Sequence, residues 1–596
     1  MDGNAVRENY AKASWLQRHP GLAWLLLIAP VLVYLLLAFA YPLVEMVLRS
    51  VFTPSFTLHN YARIFGGTTY LILIWNTVRV SLAVAFVSLL IGYPVAMWMG
   101  RLRGFRLSVA MMLVILPLWT SVLVRNYAWI ILLRRGGPIS SLIEAVGLHP
   151  PDLLYSEGTV ILGMVYTLLP YMVFTLYNAM RTIDARYAAA ARGLGASPFR
   201  AFVKVFFPLS MPAVSAGFLL VFVISIGFFI TPALLGGGHV EMIAPQIDTQ
   251  MNTLIDWGFG AALSTVLFVI VALVMAASVG LFDVEVLGFE KRRPVAVTAG
   301  PTAQMPLDIA AAQRVARPLQ HGTSIATGTY DRPSRSVGRI AAGAFSVVIL
   351  VILLAPIIVI AGTSFSGTPF LTFPPRGLSL KWYRAVIDDP SWIDAAILSI
   401  KSAFLTMCSA VILGTLAAVC LVRGRFPGRQ LAYVLVMSPL IVPTIIVAVG
   451  VYFLFIGLGL LGSIWSFVLA YTMQTLPLVV LVVSSALRRV DVSLERSAVI
   501  LGASPARAFF AVTLPAIWPA VLASGIFAFI HAFDDVVIAE FIAGTTVATL
   551  PKKMWVALVY SIDPTISVVS TIFIAVSVLL LSIIGLARAV SARKAA

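Results

Sequence analysis

Leu194-Gly-Ala-Ser-Pro198 and Leu501-Gly-Ala-Ser-Pro505 are the same five residues, 307 positions apart in a chain of 596 residues. Across the window 194–214, 13 of 21 positions are identical at this offset, whereas composition alone gives roughly one or two. The sequence therefore predicts a tandem duplication. Each copy is a short polar break between two apolar segments, so we expect both halves to present it outside a membrane, as a docking element.

Composition indicates an integral membrane protein, because 60% of the residues are apolar, 11% are charged and the mean hydropathy is +1.00. Apolar runs recur that are long enough to cross about 30 Å of hydrocarbon as helices, without the alternation of a β-barrel. We predict an all-α fold with about 12 transmembrane helices. The runs lie near residues 23–43, 76–99, 107–133, 158–180, 213–236, 260–285, 340–363, 395–422, 430–457, 462–487, 520–545 and 565–587.

Lysine and arginine placement predicts the orientation, because short basic loops stay in the cytoplasm. With both termini inside, both repeated loops are also inside, and the loop 237–258, which has no Lys or Arg, faces outward. The net charge of +17 then follows from topology, and nucleic acid is not a predicted partner. The first apolar run is too long for a signal-peptide core and is predicted to be a retained span.

The domain organisation follows from a change of composition between the halves. Residues 286–338 mix Pro, Gly, Thr, Ala and Arg without periodic apolar positions, which predicts a flexible cytoplasmic linker. The predicted domains are 1–285 and 339–596. Weaker matches at offset 322, such as Gly92 with Gly414, support the duplication. Six spans per half place the two domains in parallel orientation.

The repeated stretch has the pattern of a helix, a turn and a second helix. Residues 184–196 favour helix, and Gly195 followed by Ser197-Pro198 predicts a stop and a new helix start. A short amphipathic helix over 199–207 is expected to end before Pro208.

These features resemble the membrane subunits of binding-protein-dependent ABC importers, whose cytoplasmic loop carries Glu-Ala-Ala, then Gly, then a distal Leu-Pro. Gly195 and Gly502 match the glycine; Phe207-Pro208 and Leu514-Pro515 match the distal pair. The resemblance implies two six-helix (MetI-like) permease domains whose loops 184–212 and 491–519 dock on two copies of an ABC ATPase. The coupling residues it implies are Arg192, Gly195, Ala196, Ser197, Pro198, Gly502, Ala503, Ser504, Pro505 and Arg507.

One position departs from the family pattern. The acidic residue of the motif falls on Ala189 in the first copy and on Arg496 in the second, with Glu495 one place early. The shape of the motif is therefore predicted to carry the coupling, rather than that charge.

The resemblance has a polyamine-permease character, with two subunits fused in one chain. It is carried by residues 92–127, 161–171, 226–238, 379–421 and 531–544. A spermidine- or putrescine-like cation is the implied solute, delivered by an extracytoplasmic binding protein. Permeases for iron, thiamine or opines share much of this framework and remain alternatives.

The energy source is predicted to lie on another subunit. No Gly-Lys-Ser or Gly-Lys-Thr occurs in the sequence, so a phosphate-binding P-loop is missing. We therefore expect no catalytic residues, no metal site and no bound cofactor in this chain, with ATP and magnesium on the partner ATPase.

Charges inside apolar spans are the natural candidates for a solute path, because each is costly to insert. Asp534 and Asp535 point about 100° apart on a helix, so one is expected to face the path while the other caps or pairs. The structural alternatives are an ion pair inside the membrane, for example with Arg125, or a carboxylate near the outer interface. Aromatic faces would suit a polycation. The full candidate set is Trp119, Arg125, Tyr127, Phe229, Phe533, Asp534, Asp535 and Glu540.

A twelve-span secondary transporter driven by an ion gradient is the alternative from another class, since it also joins two six-helix halves through a linker. The duplicated loop after the fourth span has no role in such a protein, which favours the importer.

Overall fold

The computed structural model describes residues 20–52, 55–282, 337–369, 372–544, 547–560, 564–576 and 579. The predicted linker 286–338 falls outside these ranges except for its last two residues. The first 19 residues and the C-terminal end from residue 580 fall outside them too.

Helices make up the first half. They are α1 (Pro20–Leu35), α2 (Tyr41–Val51), α3 (His59–Phe65), α4 (Thr68–Met99), α5 (Gly104–Ile115), α6 (Val122–Leu133), α7 (Pro138–Ala145), α8 (Glu157–Met180), α9 (Ala185–Gly193), α10 (Pro198–Ala201), α11 (Phe207–Ile226), α12 (Ile230–Gly236), α13 (Ile243–Asp248) and α14 (Trp257–Phe282).

The second half repeats this order with fewer elements. They are α15 (Val337–Thr363), α16 (Lys381–Asp388), α17 (Pro390–Arg423), α18 (Arg429–Met437), α19 (Thr444–Gly457), α20 (Ile464–Leu487), α21 (Val492–Ile500), α22 (Pro505–Ala508), α23 (Leu514–Asp534), α24 (Val537–Ile542), α25 (Leu550–Tyr560) and α26 (Thr565–Val576).

The all-α, multi-span architecture is confirmed. Within the described residues, nine helices are long and apolar enough to cross a membrane, and two further candidates are helix pairs broken by a bend. The shorter apolar helix α26 covers the described part of the last predicted span. Many large apolar side chains on these helices are exposed, among them Leu37, Leu90 and Ile412, as expected of surfaces that face lipid.

The predicted third spans of the two halves, 107–133 and 430–457, are each a pair of helices joined by a sharp bend. The chain turns by 94° between α5 and α6 and by 100° between α18 and α19. Each break contains a 3₁₀ turn with a proline, Pro117 or Pro439, and proline removes a helix hydrogen bond. Ser121 then starts α6, because its side chain accepts a hydrogen bond from the Leu123 N–H at 3.3 Å.

The prediction that the short helix over 199–207 ends before Pro208 is wrong. Helix continues from Pro198 to Ile226 through a π-turn over Phe202–Phe206, closed by the Phe207 N–H donating to the Phe202 carbonyl. A π-turn leaves a carbonyl without an N–H partner, so the missing N–H of Pro208 is tolerated there. The equivalent π-turn, Phe509–Thr513, precedes Pro515.

The duplication is visible in the packing of each half. In the first, α4, α8 and α11 pack together; in the second, α17, α20 and α23 do so. A Cβ on Gly92 would lie 2.9 Å from Met172, and one on Gly414 would lie 2.6 Å from Val479. These glycines are related by the offset 322 and their neighbours by the offset 307, so the same close helix contact occurs twice.

The two halves pack against each other along a central interface, which we call the seam. The first span of each half packs against the other half. In the first half this is α2, which continues α1 and contacts α19; in the second half α15 contacts α6. Directional bonds reinforce the seam, since the Tyr166 hydroxyl donates to the Leu353 carbonyl at 2.8 Å and the Tyr34 hydroxyl donates to the Leu469 carbonyl. The halves thus form one body around a shared interface.

Candidate functional site

The first copy of the repeated stretch folds as a helix, a turn and a second helix. Asp184 caps α9 by accepting the Arg186 N–H at 2.9 Å. Gly195 ends it with a φ of +87°, a left-handed conformation that glycine adopts without strain. The N–H groups of Gly195 and Ala196 return to carbonyls of the last helical turn, both at 3.0 Å. This is a Schellman termination.

The second copy has the same geometry. Asp491 caps α21 by accepting the Ser493 N–H at 2.9 Å, and Gly502 has a φ of +95°. Ser504 caps α22 by accepting the Arg507 N–H at 3.3 Å, as Ser197 does for α10 with the Arg200 N–H at 3.2 Å. The repeated Gly, Ser and Pro therefore have local structural causes in both halves. We call residues 184–206 the first coupling element and residues 491–513 the second.

The first coupling element presents an open groove of about 630 Å³. Its lining includes five of the residues predicted to couple, and the lining residues are Ala189, Arg192, Gly193, Gly195, Ala196, Ser197 and Pro198. Leu194 beside it is 91% exposed, and Leu501 in the second copy is 87% exposed. Apolar side chains so exposed outside the spans suit a protein partner.

The acidic residue of the second element is engaged inside the chain. Glu495 accepts a hydrogen bond from the Thr513 hydroxyl and lies 3.9 Å from a guanidinium nitrogen of Arg423. Sequence reasoning did not find this cluster, because Arg423 and Thr513 are distant from Glu495 along the chain.

Asp534 and Arg125, which the sequence suggested as an ion pair, lie on facing helices at the seam. Asp534, the last residue of α23, faces Ser121 and the Val122 N–H at the start of α6, and interacts electrostatically with Arg125 one turn further on. Arg125 is 7% exposed. Among the described residues, two nitrogens of its guanidinium and one carboxylate oxygen of Asp534 have no hydrogen-bond partner. The pair thus retains free bonding capacity.

Asp535 has a structural contact of its own. Its carboxylate accepts the Ile538 N–H at 2.8 Å, which caps the first turn of α24. Of the two neighbouring carboxylates, Asp535 caps a helix and Asp534 faces the other half; that one of them faces a solute path stays a prediction.

The duplication shows that the Asp534 site occurs once. The offset 307 relates Asp534 to Gly227, and the offset 322 relates Ser121 to Pro443. Gly227 and Pro443 are also in contact, because a Cβ on Gly227 would lie 2.2 Å from Pro443. One crossing of the seam is therefore polar and the other is a close apolar contact. Of these two equivalent positions only the one at Asp534 is polar, and this difference between the repeats is the signal that singles out Asp534.

The aromatic candidates are packed. Phe229 is 3% exposed, and its ring lies 5.1 Å from that of Trp555 across the seam. Phe533 stacks between Phe529 and Phe573 at centroid distances of 5.8 and 4.9 Å.

The remaining candidates are less accessible or incompletely described. Tyr127 is fully buried, and its hydroxyl accepts from the Ser567 hydroxyl at 3.4 Å. The side chain of Trp119 falls outside the described residues, although its backbone belongs to the 3₁₀ turn before α6. The structure thus places Arg125 and Asp534 together and gives Tyr127, Phe229 and Phe533 packing contacts.

Glu540 belongs to a second charged group at the seam. It interacts electrostatically with Lys552 and with Asp248 of the first half. Lys552 also donates to the carbonyls of Glu540 and Gly544, both at 3.2 Å. Burial raises the pKa of Asp248 to about 7, although a 2.7 Å hydrogen bond from Asn252 opposes the shift. The sequence did not show that Asp248 and Lys552 meet Glu540.

The fold is that of an all-α, multi-span membrane protein with two similar halves, and comparison with known proteins identifies its family. Residues 92–286 and 410–595 both match the family model described as "Binding-protein-dependent transport system inner membrane component". The two matches together cover more than half of the chain.

Individual relatives agree with this. The chain is 36% identical over 221 residues to the spermidine/putrescine transport system permease protein PotB of Haemophilus influenzae, covering 37% of this chain and 77% of that protein. It is 34% identical over 233 residues to the putrescine transport system permease protein PotI of Escherichia coli, covering 37% and 81%. A solved bacterial ABC transporter that imports alginate aligns with a TM-score of 0.38 and 16% identity, covering 45% of this chain and 97% of its own.

The chain therefore belongs to the family of binding-protein-dependent transport system inner membrane components. It is a multi-pass permease of an ABC importer with two permease domains fused in tandem, as predicted. Membership of this family excludes the ion-coupled secondary transporter considered from the sequence.

Proposed function

We propose that this chain imports a polyamine or a closely related organic cation. The observation that carries the proposal is its identity of 34–36% with polyamine permeases, over about four-fifths of their length. Both copies of the permease domain lie in one chain, so one polypeptide supplies what two subunits supply elsewhere.

We expect two copies of a separate ATPase to drive transport by hydrolysing ATP. The support is the repetition of the coupling element with the same caps, turn and exposed leucine in each half. ATP and magnesium would then bind to those subunits, this chain would hold no cofactor, and both termini would lie in the cytoplasm. An extracytoplasmic binding protein would deliver the solute to the opposite face.

The polar crossing of the seam is the proposed contact for the solute. Asp534 supplies a carboxylate with a free oxygen at the interface between the halves, where alternating access would open a path. An ammonium group would compete there with Arg125. Asp535 supports the site as a helix cap.

Reconstitution tests the proposal. The tagged chain is purified with the ATPase that accompanies it, placed in proteoliposomes, and supplied with the binding protein and radiolabelled spermidine or putrescine. We expect ATP-dependent uptake, and ATP hydrolysis that rises only when loaded binding protein is present. Uptake of ferric iron or thiamine in preference to both polyamines would overturn the choice of solute, and uptake driven by an ion gradient without ATP would overturn the mechanism.

A further inference from the structure

The second coupling element is bound to the membrane helices by side chains that converge on Glu495. The carboxylate lies on α21, at the start of the element, and accepts the hydroxyl of Thr513, the last residue of the π-turn that leads into α23. Thr513 is fully buried. Both ends of the second element are therefore joined to each other through Glu495.

Arg423 extends this connection into the membrane domain. It is the last residue of α17, and its side chain is 14% exposed. One guanidinium nitrogen lies 3.9 Å from Glu495 and donates to the carbonyls of Leu487 and Val490 at 3.3 and 3.0 Å. Leu487 is the last residue of α20 and Val490 lies three residues beyond it, so Arg423 is at the C-terminal end of this helix, where the helix dipole favours a cation. Three side chains thus join α17, α20, α21 and the start of α23.

The first coupling element does not have the same groups. Subtracting the offset 307 from 495 and 513 gives Ala188 and Phe206, and subtracting 322 from 423 gives Arg101. Alanine and phenylalanine supply neither a carboxylate nor a hydroxyl. Arg101 is exposed, whereas Arg423 is largely enclosed.

Aromatic contacts occupy the same region in the first half. Phe206 stacks on Phe202 at 6.1 Å, and the ring of Tyr93 on α4 contacts Phe202 and Phe207 at 6.1 and 5.9 Å. Aromatic pairs accept a range of geometries, whereas charge-assisted hydrogen bonds fix both distance and direction.

We propose that Arg423, Glu495 and Thr513 form a tether that fixes the second coupling element to the membrane helices, and that the two elements consequently transmit force unequally. The second moves as one body with α17, α20 and α23, and it determines how much ATP is consumed for each solute carried. The first, which has Ala188 and Phe206 in place of Glu495 and Thr513, yields locally. This inference rests on the proposed function only for the link to ATP, since the tether belongs to the chain itself.

Hydrogen–deuterium exchange on the purified full chain tests the tether without any transport. We expect amides in residues 492–513 to exchange more slowly than their counterparts in 185–206, and Glu495→Gln to speed exchange in 492–513 about tenfold. Thr513→Val is a second variant that keeps the side-chain shape, and it should act in the same direction.

Asp184→Asn is the matched control, because it removes one carboxylate from the first element while asparagine preserves the cap. It should leave exchange in 492–513 unchanged. Equal exchange in the two elements of the wild-type chain, or no acceleration in either variant of the second, would overturn the tether.

The ratio of ATP hydrolysed to solute imported tests the unequal transmission. In the reconstituted complex we expect Glu495→Gln to raise this ratio about threefold relative to the unaltered chain. If Glu495→Gln accelerates hydrogen–deuterium exchange in 492–513 but leaves the ratio of ATP hydrolysed to solute imported unchanged, the coupling role is overturned. If the complex imports no polyamine at all, the proposed function fails and the exchange experiment still decides the tether.

Discussion

At the scale of single residues, neighbouring carboxylates have different tasks. Asp535 is oriented by the N–H of Ile538, whereas Asp534 points across the seam toward Ser121 and Arg125. The N-terminal end of α6 and the Arg125 guanidinium already lie opposite the Asp534 carboxylate. A solute cation must therefore replace existing interactions rather than fill an empty anionic site.

Asp534→Asn should lower polyamine uptake at least about tenfold, because the amide removes the negative charge that an ammonium group would pair with. Asp535→Asn is the matched control and should retain uptake within about twofold, since asparagine caps a helix as well as aspartate does. Uptake assays on proteoliposomes measure both. Equal loss in the two variants would contradict the assignment.

A double variant separates binding from stability. Asp534→Asn leaves Arg125 buried beside a neutral partner, which is destabilising in itself. Arg125→Gln combined with Asp534→Asn removes that imbalance. Uptake should stay low while the thermal unfolding temperature recovers; recovery of uptake as well would mean that Asp534 serves only to pair Arg125.

Asp248 gives the chain a pH dependence. Its pKa is raised from 3.8 to about 7 by burial, and Glu540 adds to the rise while Asn252 and Lys552 oppose it. Between these two values the folded chain binds more protons than the unfolded chain, so the free energy of unfolding should fall as pH rises from about 4 to about 7.

Thermal unfolding in detergent across this pH range measures the effect. Asp248→Asn has no proton to lose and should flatten the slope. An unchanged slope in that variant would assign the pH dependence to another group.

At the scale of elements, the coupling helices depend on backbone geometry more than on side-chain charge. Gly195 and Gly502 adopt left-handed conformations, and a Cβ on either would meet no atom within 4 Å. The cost of replacing them is therefore conformational strain alone. The motif survives the loss of its usual acidic residue because its caps and turn are local.

Gly195→Ala and Gly502→Ala should each destabilise their element by about 1 kcal/mol, since a side chain disfavours the left-handed region. Faster hydrogen–deuterium exchange and weaker retention of the ATPase during purification measure this. Gly193→Ala is the control: it lies in α9 without a positive φ, and alanine there favours the helix. Comparable loss in all three variants would show that space matters rather than strain.

The elements also mark how far the sequence could predict the fold. Apolar runs, the Gly-Ser-Pro pattern and the fixed offset predicted the all-α class, the two domains' repeated order and both helix–turn–helix units, because these depend on local chemistry. The sharp turns at Pro117 and Pro439 were not predicted, since proline inside an apolar run is compatible with a kinked span. Glu495 with Arg423, and Asp248 with Glu540, meet only through tertiary packing.

At the scale of the whole molecule, the halves are held together by their shared interface. Helix α2 packs on α19, α15 packs on α6, and Arg49 lies 4.8 Å from the ring of Phe453 in the other half. Close van der Waals packing and hydrogen bonds between helices stabilise such a seam without a covalent link.

Separate expression of residues 1–310 and 311–596 tests this. The cut falls inside the predicted linker, and we expect a tagged first half to retain the second in about equal amounts, because the seam contacts lie outside the cut. Co-purification and native mass spectrometry measure the result. Halves that separate in mild detergent would show that the linker holds them together.

The polar contact at Asp534 also distinguishes a first half paired with a second half from two identical halves paired together. In a complex of two second halves, each Asp534 would face Pro443, and Val447 would replace Arg125. Both carboxylates would then be buried against apolar side chains. Two first halves would bring Ser121 against Gly227 and leave two arginines without a carboxylate. Pairing of two identical halves is therefore unfavourable for either half. The interface itself thus favours correct assembly, independently of the peptide that joins the halves.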